Sequence, residues 1–199
     1  MSIQCLVMSY GVPDEGDHEA QAMQWEYAAK LAKWAARWDA KKVVNWYLYG
    51  GATNRRRPDV TEAEYFRPVL EAAFERQFGE TREFRVMNYP LTPRDARSAM
   101  RVFGAQMGQQ QTQLSERELQ ARRMFVMCEA RRFGRVEHLA HYTLGDEVEV
   151  VPIKFDHREY RRRDYAMRGI EYTSAWLGTH MPGFVRVERG LREMKLRFL

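Results

Sequence analysis

Residues 42–54, Lys-Val-Val-Asn-Trp-Tyr-Leu-Tyr-Gly-Gly-Ala-Thr-Asn, decide the fold class. The first eight are β-branched and aromatic enough for a strand over 42–49. The pair Gly50-Gly51 then breaks the run and opens a turn. Beyond it, Thr61 stands three residues before Glu64, the spacing of a capping box. Ala63, Phe66, Leu70, Ala73 and Phe74 follow at helical spacing, which predicts a helix over 62–78, stopped by Gly79. Strand, glycine turn and capped helix make one unit of an α/β fold.

The same alternation extends both ways. Residues 3–9 (IQCLVMS) are a continuous apolar run, as expected of a strand buried on both faces. After the turn Gly11–Asp14, a helix over 18–38 is expected to bury Trp25, Ala28, Ala29, Ala32 and Ala36. Residues 83–88 (EFRVMN) read as a third strand. Thr92, with Pro93 behind it, caps a helix running to about Phe103. The polar stretch 104–113 reads as a loop or frayed end, and Ser115 with Glu118 as a further capping box. Residues 123–128 (RMFVMC) and 147–153 (EVEVVPI) read as the fourth and fifth strands, separated by a helix with Val136, Leu139 and Ala140. From His157 to Leu199 the pattern is helical, broken at Gly178–Gly183.

These elements predict one domain over 1–199, with an α/β core over about 3–155 and C-terminal helices over about 157–199. The core is a three-layer arrangement of a mainly parallel sheet of about five strands with helices on both faces. No apolar run reaches the ~20 residues of a membrane-spanning helix, and the N-terminus lacks a basic region before a secretory core. A cytoplasmic protein without a membrane partner is therefore expected. Cys5 and Cys128, both inside apolar runs, read as buried reduced thiols. The histidines show no metal-ligand spacing, so no metal site is expected.

Parallel sheets bind ligands beyond the carboxyl ends of their strands, at the strand-to-helix turns. The turn after Tyr49 is the richest. Gly50 and Gly51 let a backbone approach a ligand, Thr53 and Asn54 add hydrogen-bonding groups, and Arg55–Arg57 add cationic forks. It matches neither GxxxxGK[ST] nor GxGxxG. Glu62 stands in the first turn of the next helix, where it serves either the helix dipole or the site. After Cys128, Arg132 and Arg135 are three apart, and on one helix they would share a face. A basic pair at a helix N-terminus is unfavourable, which points to an anion there or to a carboxylate such as Glu129. The net charge is +5, with arginines clustered at 55–57, 122–123, 131–132 and 161–163. A solvated surface or affinity for a polyanion fits that excess.

The turns together resemble the ElyC/SanA/YdcF family of small α/β proteins. The corresponding stretches are VMSYG (7–11), LYGGATN (48–54), TEAEYF (61–66), LTPRDARSA (91–99) and FVMCEARRFGRV (125–136). The order and spacing agree over roughly residues 3–155. The resemblance implies a Rossmann-like fold and a small-molecule pocket formed by Gly11, Gly50, Gly51, Thr53, Glu62, Thr92, Asp95, Arg132 and Arg135. One member type is associated with S-adenosylmethionine, so that cofactor is implied by resemblance alone. Asp95 stands where the family has Asn, and Arg132 where it has His.

Three functions follow as expectations. The first is a binding or catalytic pocket for an anionic, nucleotide-like or phosphorylated small molecule. Gly50-Gly51 amides, Arg132 and Arg135 would hold its anionic part, and Glu62 or Asp95 its hydroxyls or a proton. The second is a non-enzymatic protein that binds nucleic acid or a protein partner through its basic surface. The third is an enzyme remnant, motivated by the exchanged residues at 95 and 132.

Overall fold

A computed structural model describes residues 2–9, 11–38, 43–51, 56–79, 84–86, 96–111, 123–155, 172–173 and 175–181. Strands β1 (Ser2–Met8), β2 (Val43–Tyr49), β3 (Phe84–Val86), β4 (Arg123–Glu129) and β5 (Val148–Ile153) alternate with helices. The helices are α1 (His18–Ala35), α2 (Glu62–Phe78), α3 (Ala96–Gln111) and α4 (Phe133–Leu144), the last preceded by a 3-10 turn over Ala130–Arg132. Four strands of six or seven residues lie side by side in the order β2-β1-β4-β5, and the three-residue β3 flanks β2 at the edge. Every pairing is parallel. The chain winds outward from β1 through β2 to β3, then returns to the other side of β1 with β4. That reversal lies between β1 and β4.

Alternation along the strands divides the core. Ile3, Cys5, Val7, Trp46, Leu48, Phe125 and Met127 pack with α1 and α2 around Tyr27, Leu31, Phe66, Leu70 and Phe74. Leu6, Met8, Tyr47, Tyr49, Val126 and Cys128 pack against α3 and α4 around Met100, Phe103, Leu139 and Ala140. The helices therefore cover both faces, as the unbroken apolar strands require. Cys5 and Cys128 are free and buried.

Helix α2 follows its sequence closely. Thr61 Oγ1 accepts from Glu64 N at 3.1 Å, and Glu64 Oε2 accepts from Thr61 N at 3.1 Å. Gly79 closes the helix at φ +71°, a left-handed cap that glycine adopts without a Cβ clash.

Three expectations change. The buried face of α1 is Gln24, Tyr27, Ala28, Leu31, Ala32 and Ala35, while Trp25, Ala29 and Ala36 face outward. The stripe is rotated because Tyr27 and Leu31 reach the sheet, and the Tyr27 hydroxyl donates to Met8 O at 3.1 Å. Helix α3 does not end at Phe103 but runs to Gln111. Gln and Met are good helix formers, and buried Phe103 and Met107 anchor the added turn to the core. The backbone is also helical over 175–180, through Gly178, whose carbonyl accepts from Arg97 Nη1 at 3.2 Å. The capping box expected at Ser115 and Glu118 and the remaining C-terminal stretch lie outside the described residues. Among the described residues, no helix is long and apolar enough to cross a membrane.

Candidate functional site

Each strand end delivers consecutive residues to opposite faces. Met8 is level with Tyr49, and Val7 with Met127. Continuing that register puts Ser9 level with Gly50 on one side and Glu129 on the other. All three continue the parity that faces α1 and α2. The backbone holds the level, since Ser9 N donates to Tyr49 O at 2.7 Å.

Gly50 is where three elements meet. A Cβ built on it would lie 2.4 Å from Glu62 Cβ, 2.9 Å from Glu62 Oε2 and 3.0 Å from Ser9 Cβ. Only a residue without a side chain fits. The start of α2 is pinned to the same turn, because Glu62 N donates to Gly51 O at 3.0 Å and Ala63 N to Gly50 O at 3.4 Å. Glu62 is thereby buried beside Ser9 at the N-terminal end of its helix. That close approach explains the glycine at position 50, directly after the strand.

Gly11 joins from the β1 side. It sits at φ +51°, a left-handed conformation, and its carbonyl accepts from Gln24 Nε2 at 2.6 Å. From β4 comes Glu129, 2 % exposed, whose Oε2 lies 3.4 Å from Arg131 Nε. Buried Tyr27 and Cys128 sense the charges around this carboxylate. Burial pushes the Tyr27 phenol well above its ordinary value; Cys128 and Glu129 add to the rise, and Arg132 opposes it. Burial likewise pushes the Cys128 thiol up to about 12, with Arg132 opposing and Glu129 and Glu137 reinforcing. Arg132 and Glu129 thus lie within electrostatic reach of the same two groups.

Of the residues expected from sequence, Gly50, Gly51 and Glu62 come together in one turn. Gly11 follows Ser9 by two positions, and Arg132 stands across the β1–β4 reversal. Arg132 and Arg135 stand three residues apart across the start of α4. Arg132 belongs to the 3-10 turn and acts as N-cap of α4, whereas Arg135 lies in the first turn of α4. Glu129, the carboxylate named as the alternative partner of that pair, lies against Arg131. Thr53, Asn54, Thr92 and Asp95 lie outside the described residues.

Ser9, Gln24 and Glu129 were absent from the expected set. Yet buried polar side chains among the described residues are Gln4, Ser9, Gln24, Glu62, Glu129 and Thr179, and four of these six gather at this one end of the sheet. Ser9 Oγ and Gln24 Oε1 have no hydrogen-bond partner among the described residues. Buried polar groups normally find partners, and each exception needs a reason.

The arginines of the second turn are engaged differently. Arg56 Nη1 lies 2.9 Å from Asp14 Oδ2, joining the loops after β1 and β2. The Arg57 guanidinium lies 5.6 Å from the centre of the Tyr65 ring. Arg55 and Arg161–Arg163 lie outside the described residues. No group of three or more His, Cys, Asp or Glu side chains is arranged to hold a metal among the described residues. No protein-family model matches the chain, and neither a curated protein nor a solved structure matches it.

Proposed function

We propose that the carboxyl ends of β1, β2 and β4 form a binding pocket for a nucleotide-like or phosphorylated small molecule. The observation that carries this reading is the gathering of Ser9, Gln24, Glu62 and Glu129, all buried, at that end of the sheet. Ser9 Oγ and Gln24 Oε1 have no hydrogen-bond partner among the described residues, and folds retain such buried groups mainly at sites of function. The position supports the reading too, since a doubly wound sheet opens a crevice where its strand order reverses. A Rossmann-like topology and kinship with the ElyC/SanA/YdcF proteins belong to the same proposal, as does S-adenosylmethionine as one candidate ligand.

In this reading Arg132 and Arg135 hold the anionic part of the ligand, and the Gly50-Gly51 turn admits its close approach. Glu62 accepts from a ligand hydroxyl or amine, and where a reaction follows it is the group placed to take the proton. Thr53, Asn54, Thr92 and Asp95 complete the proposed lining.

A thermal-shift screen with nucleotides, S-adenosylmethionine and sugar phosphates tests the proposal. A ligand at ~100 times its Kd adds about 2.7 kcal/mol of stability by mass action. At least one of these classes should raise the melting temperature in the wild type, and Glu62→Gln should lose most of that rise. No shift from any class, or an undiminished shift in Glu62→Gln, contradicts the proposal.

A further inference from the structure

We infer that the outer surface over α3 and α4 binds single-stranded nucleic acid, with bases stacking on a row of rings and phosphates held by the arginines that flank it in the chain. This surface covers the opposite face of the sheet from the proposed pocket. It is a second activity, and its failure leaves the pocket untouched.

The rings come from two elements. His138 and Tyr142 are four apart on α4, and Tyr172, Trp176 and His180 repeat at the same interval, so each set shares a face. Ring centroids run from Tyr172 to His138 at 5.7 Å, from His138 to His180 at 6.0 Å, and from His180 to Trp176 at 4.5 Å and to Tyr142 at 6.4 Å. The Arg97 guanidinium lies 5.0 Å from the centre of the Tyr142 ring. Five large hydrophobic side chains are exposed among the described residues, and four of them, Tyr142, Tyr172, Trp176 and Met181, belong to this row or adjoin it. Apolar surface gathered in one place marks an interaction site.

The row is fixed before any ligand arrives. Ala175 is buried in the α3/α4 core, and Arg97 Nη1 donates to Gly178 O at 3.2 Å. Thr179 Oγ1 donates its one proton to Trp176 O at 2.7 Å. His138 Nε2 and His180 Nδ1 each lie 2.9 Å from that same oxygen, so these two ring nitrogens carry hydrogens and donate to it. Rings already held lose little freedom on binding.

Charge names the occupant. Residues 157–199 hold ten Arg and Lys, nine of them Arg, against five Asp and Glu, whereas residues 1–156 hold 22 of each sign. The stretch Tyr172–Met181 itself holds none. The chain's whole net charge of +5 therefore belongs to the sequence on either side of those rings. A polyanion with flat apolar faces matches both features, because bases stack on rings whatever their order and arginine forks pair with phosphates. A duplex hides its base faces, so the strand is single. A membrane surface fits less well, since Met181 is the one non-aromatic side chain among those four exposed groups.

The test uses the full chain and fluorescence anisotropy of an end-labelled oligothymidylate of roughly 15 nucleotides at ~50 mM salt. An abasic strand of the same length and vesicles containing an anionic phospholipid serve as the other probes. The oligothymidylate is expected to bind at least about tenfold more tightly than the abasic strand. Trp176→Ala should weaken it about tenfold with the dependence on salt unchanged, because no charge is lost, and Trp176→Phe should keep most of the affinity. Replacing Arg161, Arg162 and Arg163 by Gln should instead flatten the salt dependence. Equal binding of the abasic strand, absence of binding at low salt, or unaltered affinity in Trp176→Ala overturns the proposal. So does tighter binding to the vesicles that Trp176→Ala abolishes, which would assign the rings to a membrane surface.

Discussion

The two faces of the sheet treat the same three strand ends in opposite ways. Toward α3 and α4, the last side chains are Met8, Tyr49 and Cys128, all apolar in character and buried. One residue later, toward α1 and α2, the side chains are Ser9, none at Gly50, and Glu129, the last residue of β4. The backbone is shared, so strand position alone does not explain the polarity. The difference lies in what each face must meet. The α3/α4 face closes on itself, whereas the α1/α2 face ends in a buried polar cluster that packing does not require. In the proposed reading, changing one parity of three strands makes a site while the other parity continues to seal the core.

The comparison breaks most easily at its apolar half. Trp46 sits in the α1/α2 core, edge-on to Phe74 at a centroid distance of 5.1 Å. Trp46→Ala should lose about 3–5 kcal/mol in urea unfolding, because it removes a large side chain and leaves a cavity. A loss below ~1 kcal/mol would mean that this face is not the close-packed half described. Next in size is Gly50→Ala. Its new methyl would meet Glu62 Cβ, an atom fixed near the backbone of α2, so the helix start must shift. Destabilisation of about 1–3 kcal/mol and weaker ligand binding are expected together.

The contrast sharpens with Ser9→Ala. Removing a buried hydroxyl that lacks a partner among the described residues should raise stability by about 1 kcal/mol, since an unsatisfied polar group is lost and little packing with it. A drop of similar size would show that Ser9 is structural. The smallest effect concerns the far edge of the α3/α4 side. His138 Nε2 lies 2.9 Å from Thr179 Oγ1, and its ring is 6.0 Å from that of His180. Burial, then the neighbouring His180, holds the His138 imidazole below its ordinary value. The unfolded chain therefore binds the proton more readily. Stability should fall as pH drops through the ordinary histidine range toward the lowered folded value, and be fully present above that range. Melting curves between ~pH 7.5 and ~pH 5.5 should show a shift below about 2 °C, which His138→Asn flattens.

Much of this contrast was legible in the residues, and unevenly so. Helix α2 could be read from end to end, because cap, periodicity and terminal glycine all specify one structure. The alternation of strands and helices gave the parallel sheet and pointed to the Gly50-Gly51 turn. Periodicity failed for α1, where several alanines mark no face and the tyrosine that does was passed over. The Gln-rich end of α3 read as a loop or a frayed end because its polar composition hid Met107, an anchor one helical turn beyond Phe103. Ser9 was missed, and Glu129 was read only as a counter-charge for the arginines, because each closes an apolar run, where a polar residue looks like the start of a turn. The available signal was parity: both fall on the inward-facing register of strands otherwise apolar on both sides. Gln24 gave no such signal, since its role depends on the Gly11 carbonyl, which only the fold brings to it.

The central claim is that the polar half of this contrast is a ligand site. Hydrogen–deuterium exchange with and without saturating AMP or ribose 5-phosphate tests it most directly, because it reads location rather than affinity. The account predicts slowed exchange concentrated at residues 9–11, 50–51, 61–63 and 129–132, with the α3/α4 face unchanged. Protection spread over the α3/α4 face, or confined to the basic surface away from these strand ends, would contradict it.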